Sequence, residues 1–203
     1  MRVSSSFVLA LLLCEQMLNG STLALLSPVV VVHNRHPSLE VLASPRRISR
    51  TRLHVTDTSK TRFHIVDGIE CREVTINIQK VGLVTILEAT AKSQDELVDM
   101  ALALDEELTN DDGINRLQAG DPYGAVLWPA ASAISNYLLT KCAPLEEITI
   151  VEVGTGTGLV SLAVSLGGAA SVTATDYESI PLRLIEYAQA KLNKGLTTIK
   201  TGT

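Results

Sequence analysis

Ile148-Thr149-Ile150-Val151-Glu152-Val153-Gly154-Thr155-Gly156-Thr157-Gly158 is the stretch whose reading decides the fold. Its first six residues are apolar and β-branched at nearly every place, the composition of a short strand buried on both faces. Three glycines at alternate positions then let the chain turn sharply out of that strand and bring its backbone close to a ligand. Leu159 to Leu166 follows as a short apolar helix, whose first amides point into the turn. Beyond it, Ser171 to Thr175 predicts a second strand. Pro181, Leu184, Ile185, Ala188 and Leu192 share a helical face, with Gly195 as the stop. Strand, glycine loop, helix, strand, helix is the order of a parallel sheet with crossover helices.

The type of ligand follows from what the loop lacks. A dinucleotide fingerprint needs its third glycine one place later, where this chain has Leu159, and a phosphate-binding P-loop needs a Gly-Lys-Ser/Thr ending that is absent. A nicotinamide oxidoreductase is therefore a weak reading. Asp176, just past the second strand, stands where an open parallel sheet binds ligands, outside the carboxyl ends of its strands. Its two carboxylate oxygens can accept bonds from a pair of hydroxyls.

Upstream, Val74, Ile76 and Ile78 alternate with polar residues, and Gly82 to Leu87 supplies a second apolar run, so the two predict an antiparallel hairpin. Ser93-Gln94-Asp95-Glu96 reads as a capping box for a helix over about 94 to 108, with Leu97, Met100, Ala101, Leu104 and Leu108 on one face. Asn110 to Asp121 is a loop by its turn residues. Trp128-Pro129 opens another helix, since proline suits the first helical position, and Pro144 ends it.

Charge divides the chain. Residues 1–62 hold eight Lys/Arg against three Asp/Glu, a net of +5, leaving −10 for residues 63–203. So acidic a body argues against nucleic acid, which needs clustered Lys/Arg to displace counterions. Arg2, the apolar run Phe7 to Leu13 and Thr22-Leu23-Ala24 make a signal-peptide-like segment over 1–24, with a buried N-terminal helix as the alternative. The run is too short for a transmembrane span. Residues 25–62 are basic and Ser/Thr-rich, a transit-like or disordered segment. Together the two resemble the two-part presequence of algae whose plastids lie inside the endomembrane system, which implies entry to the secretory route and a plastid destination. Cys71 and Cys142 lack metal-ligand spacing and read as small core residues. No metal site is expected.

Glu152-x-Gly154-x-Gly156-x-Gly158 followed by Asp176 resembles motif I and the ribose-binding acid of the seven-β-strand S-adenosylmethionine-dependent methyltransferases. Within them, the chain is most similar over residues 74 to 193 to the protein-lysine methyltransferases of the methyltransferase-like group, with Tyr123-Gly124-Ala125-Val126-Leu127-Trp128-Pro129-Ala130-Ala131 feeding a helix ahead of motif I. The resemblance implies a Rossmann-like α/β fold, S-adenosylmethionine as cofactor and a lysine side chain of a protein as substrate. It implies a donor site of Gly154, Thr155, Gly156, Gly158 and Asp176. Glu152 would contact the donor or brace the loop. Trp128 would line the pocket or pack in the core, and Tyr177 would neighbour the adenine or lie on the surface. No general base can be assigned, so the catalytic residues are unknown.

On this reading residues 63–142 carry the hairpin and helices, and 143–203 form the partial donor-binding Rossmann-like domain. Only two parallel strands are expected before Thr203, and the family's downstream acid-x-x-aromatic motif has no counterpart. The expectation is the N-terminal half of the fold in an incomplete chain, the alternative being a non-catalytic donor-binding remnant or interaction module.

Overall fold

The computed structural model describes residues 7–10, 29–34, 61–109 and 122–203. The expected exit of the signal-like segment, most of the basic segment and the loop at 110–121 lie outside the described residues.

Two sheets enclose a layer of helices. The larger has a parallel portion, with β6 (Ile148–Val153) paired to β7 (Ser171–Thr175) and β7 to β8 (Ile199–Gly202). Its far side is antiparallel: β2 (Val29–Asn34) pairs with β6, and β1 (Phe7–Ala10) with β2. The smaller sheet is antiparallel throughout, in the order β3 (Phe63–Val66), β4 (Ile69–Ile78), β5 (Gly82–Ala89). The hairpin expected from alternation is β4 and β5, with Val74 opposite Ile86 and Ile76 opposite Val84. Sequence reading missed β3, although Asp67-Gly68, both at positive φ, is a tight-turn signal between two apolar runs.

β8 corrects the expectation of only two parallel strands. It is four residues long and carries one buried apolar side chain, Ile199, so periodicity had almost nothing to register. Hydrogen bonding holds it in place: the Gln189 side chain accepts from the Ile199 amide at 2.5 Å, and the Asp176 amide donates to the Gly202 carbonyl at 3.3 Å.

The helices are α1 (Ala91–Thr109), α2 (Pro129–Tyr137), α3 (Leu159–Leu166) and α4 (Ser179–Tyr187). Each of α2 and α4 ends in a wider π turn, Leu138–Cys142 and Ala188–Leu192. α1 starts earlier than the capping box predicted, because Thr90 takes the capping role: its hydroxyl accepts from the Ser93 amide at 3.3 Å. The Ser93 hydroxyl instead accepts from the Glu70 amide at 3.1 Å, tying the helix start to β4. Met100, expected on the apolar face of α1, is exposed. Gly195 lies beyond the end of α4's π turn, at φ +80° in the link to β8.

α3 explains the layering. Leu159 to Ser165 are buried without exception, and a helix buried on every face, with only Ser161 and Ser165 polar, must be covered on every side. It packs on β6, β7 and β8 in one direction, on β5 in another and on α2 beside it. One continuous core results, running from Val74, Ile76 and Ile86 of the small sheet through Leu162 and Val164 to Ile150 and Val172 of the large one.

A polar clasp closes the far side of the small sheet. His64 on β3 lies between two partners, its Nε2 2.8 Å from Glu73 Oε1 and its Nδ1 3.0 Å from the Tyr187 hydroxyl on α4. The rings of His64 and Tyr187 also meet, at 5.3 Å between centroids. Tyr187→Phe keeps the ring contact and removes the hydroxyl, so urea unfolding should show a loss of about 1 kcal/mol. Leu83→Ala, at an exposed position of the same sheet, should change stability by less than about 0.5 kcal/mol.

Candidate functional site

The glycine loop leaves β6 at its carboxyl end and runs into α3, as its sequence predicts. Gly154, Gly156 and Gly158 all have positive φ, at 69°, 52° and 75°, the left-handed region that side chains disfavour. Their surroundings differ. A Cβ at Gly158 would overlap the Ile185 side chain of α4, so this glycine lets two helices approach. A Cβ at Gly154 would meet nothing within 4 Å, so the loop's backbone is open at that point.

β7 holds the loop in this shape. The amides of Gly154 and Thr155 both donate to the Thr175 carbonyl, at 2.9 and 3.1 Å, and the Thr175 hydroxyl donates back to the Glu152 carbonyl at 2.8 Å. Asp176 continues the anchoring: its Oδ2 accepts from the Gly156 amide and its Oδ1 from the Glu178 amide, each at 3.1 Å. Each oxygen of a carboxylate has a further lone-pair site, so Asp176 keeps acceptor capacity toward a ligand while it fixes the loop. It is 8% exposed.

Glu152 is the unusual group. Strand alternation puts it on the same face of β6 as the buried Ile148 and Ile150, toward the helix layer. Its Oε2 accepts from the Thr155 hydroxyl at 2.9 Å, the Ser161 amide at 3.0 Å and the Ser161 hydroxyl at 2.5 Å. Its Oε1, equally buried, has no hydrogen-bond partner among the described residues. Burial pushes the carboxyl up to about 7 from an ordinary 4.5. The three bonds oppose the rise, and the negative charge of Asp176 adds to it.

The remaining predicted residues divide. Thr155 is buried with its hydroxyl turned to Glu152. Trp128 is half-buried at the start of α2, and its indole N–H donates to the Tyr123 carbonyl at 3.4 Å. Tyr177 is 65% exposed. Sequence reading singled out neither Gly124, whose carbonyl would lie 3.4 Å from a Cβ at Gly156, nor Ser161. For Ser161 a signal existed: Ser161 and Ser165 are the only polar residues of α3, and a hydroxyl in a fully buried helix needs a partner. Cys71 is buried and Cys142 half-buried, both as free thiols pushed up by burial, Cys71 to about 11. Among the described residues no group of three or more His, Cys, Asp or Glu could hold a metal ion. Among them, too, no helix is long and apolar enough to cross a membrane.

A strand, a loop with its three glycines at positive φ, a buried helix and an acid past the next strand form part of a Rossmann-like methyltransferase fold. Residues 108–199 match the lysine methyltransferase family model. It is similar to the electron transfer flavoprotein beta subunit lysine methyltransferase of Mus musculus, 35% identical over 60 residues, or 30% of this chain and 24% of that protein. It is also similar to the protein-lysine methyltransferase METTL21E of Bos taurus, 49% identical over 61 residues, or 29% of this chain and 21% of that protein. The matched stretch thus spans less than a quarter of the length of these relatives. No solved structure matches the chain.

The raised Glu152 makes the fold sensitive to pH. Between about pH 4.5 and 7 the folded chain holds this proton more tightly than the unfolded chain does, so the group's contribution to stability falls as pH rises through that window. The slope is at most about 1.4 kcal/mol per pH unit, and it flattens above the folded value. Glu152→Gln carries no charge at any pH. Urea midpoints taken at pH 5, 6, 7 and 8 should therefore show wild type losing stability relative to the variant between pH 5 and 7, with only a small further divergence from pH 7 to 8.

Proposed function

We propose that this chain binds S-adenosylmethionine at the glycine loop and serves protein-lysine methylation. The observation that carries the reading is the Asp176 carboxylate. It fixes the loop through Gly156 yet keeps acceptor sites at the carboxyl end of β7, where two ribose hydroxyls could bond. The open backbone at Gly154 and the buried Glu152 Oε1, which has no hydrogen-bond partner among the described residues, fit a polar, cationic ligand over the loop. The match to the lysine methyltransferase family model and the similarity to two protein-lysine methyltransferases support the same reaction.

Gly154, Gly156 and Gly158 would hold the amino-acid part of the donor and Asp176 its ribose, with Trp128 and Tyr177 at the margins. When bound, the donor supplies an electrophilic methyl: its carbon bonds to an uncharged lysine nitrogen as the carbon–sulfur bond breaks, and the amine's proton leaves to base or solvent. What these residues contribute is alignment, because a loop tied at both ends to β7 and α3 pays little to order itself around a ligand.

Calorimetric titration tests the proposal. S-adenosylmethionine should bind wild type, Asp176→Ala should weaken it at least about tenfold through loss of charge-assisted hydrogen bonds, and NAD should give no heat. Binding of NAD with none of S-adenosylmethionine would overturn the reading. Transfer of a radiolabelled methyl group to lysine residues of a protein extract would then report the reaction itself.

A further inference from the structure

Glu152 has a chemistry that the donor-binding role alone does not require. A brace for the loop needs one oxygen, and Oε2 alone accepts the three bonds from Thr155 and Ser161. The second oxygen is buried with no donor among the described residues, an arrangement that disfavours the charged carboxylate. No positive charge among the described residues relieves it. Among the described residues Asp176, from the end of β7, is the charge that acts on Glu152, and it is of the same sign. The loop and α3 present only Thr155 and Ser161, and β2 sets Val30 opposite in the register. Among the described residues, two acids therefore share one loop without a cation between them.

We propose that Glu152 is a proton-exchanging group of this site, neutral while the loop has no cation and ionised when one occupies it, so that binding a sulfonium donor releases a proton from the protein. The inference rests on the donor-binding reading given above. The step balances simply: the Glu152 O–H bond breaks, its electron pair stays on the carboxylate, the proton passes to solvent, and the net positive donor replaces it as the neutralising charge. No atom of the donor is altered. The elevated titration of this carboxyl, near neutral pH, is what makes the exchange accessible under ordinary conditions.

Linkage gives the effect its measurable form. If occupancy lowers the proton affinity of Glu152, deprotonation must raise donor affinity by the same factor. Below about pH 6, affinity should therefore rise close to tenfold per pH unit, and it should level off above about pH 7.

The experiment is calorimetric titration of the full chain with S-adenosylmethionine at pH 6, where the donor's own α-amine stays protonated, in two buffers of different ionisation enthalpy. The dependence of heat on buffer counts the protons. Wild type should release close to one proton per donor, and Glu152→Gln should bind with release near zero. Should that variant fail to fold, infrared difference spectroscopy on wild type answers the same question, since adding the donor should remove a protonated-carboxyl band. Binding without proton release, an unchanged carboxyl band, or equal release from wild type and Glu152→Gln overturns the proton exchange and leaves the donor reading standing. No binding heat in any buffer overturns both.

Discussion

One carboxylate oxygen holds the strand, the glycine loop and the buried helix together. Glu152 Oε2 is reached by the loop through Thr155 and by α3 through the backbone and side chain of Ser161. Remove it, and the first turn of α3 loses a buried acceptor, while the loop keeps only its ties to β7. A group on the apolar face of β6 thus performs the work usually left to an exposed helix cap. The cost of burying it is expressed in its affinity for a proton, and the geometry that orders the loop is the same one that brings its carboxyl near neutrality.

Asp176 takes the opposite position. It accepts two backbone amides, one from the loop and one from the chain leading into α4, and so links the loop to the second βα unit. The two acids divide the task by burial: Glu152 is committed to the interior with one oxygen unmatched, whereas Asp176 sits at the rim with both oxygens already engaged and lone pairs to spare. Together with the Thr175 carbonyl they define the loop before any ligand is present.

What could be read from sequence follows the strength of each local signal. β6, α3 and β7 fall at the residues that their apolar runs and glycines marked, because buried parallel strands and a mostly apolar helix leave little ambiguity. The β4 and β5 hairpin was visible through alternation. β8 was not, since a strand specified by a neighbour's hydrogen bonds and a single buried Ile199 has no pattern of its own. The start of α1 was displaced because Thr90 and Ser93 compete for the same cap, and only the packing of Ser93 against Glu70 decides between them. At the site, residue types located the glycines and Asp176. They could not tell that Thr155 turns inward, nor that Ser161 completes the environment of Glu152, because both depend on which face of a strand meets which turn of a helix.

The burial of α3 also bears on how the chain assembles. A helix with no solvent-facing side has no stable position until the strands on both of its flanks exist, and those strands lie far apart in sequence: β5 well upstream, β6 just before, β7 and β8 after. Eight residues are too few to persist as an isolated helix in water. The two sheets therefore cannot mature independently and be joined later. Their pairing through α3 is a long-range contact, of the kind that slows the search for the native topology.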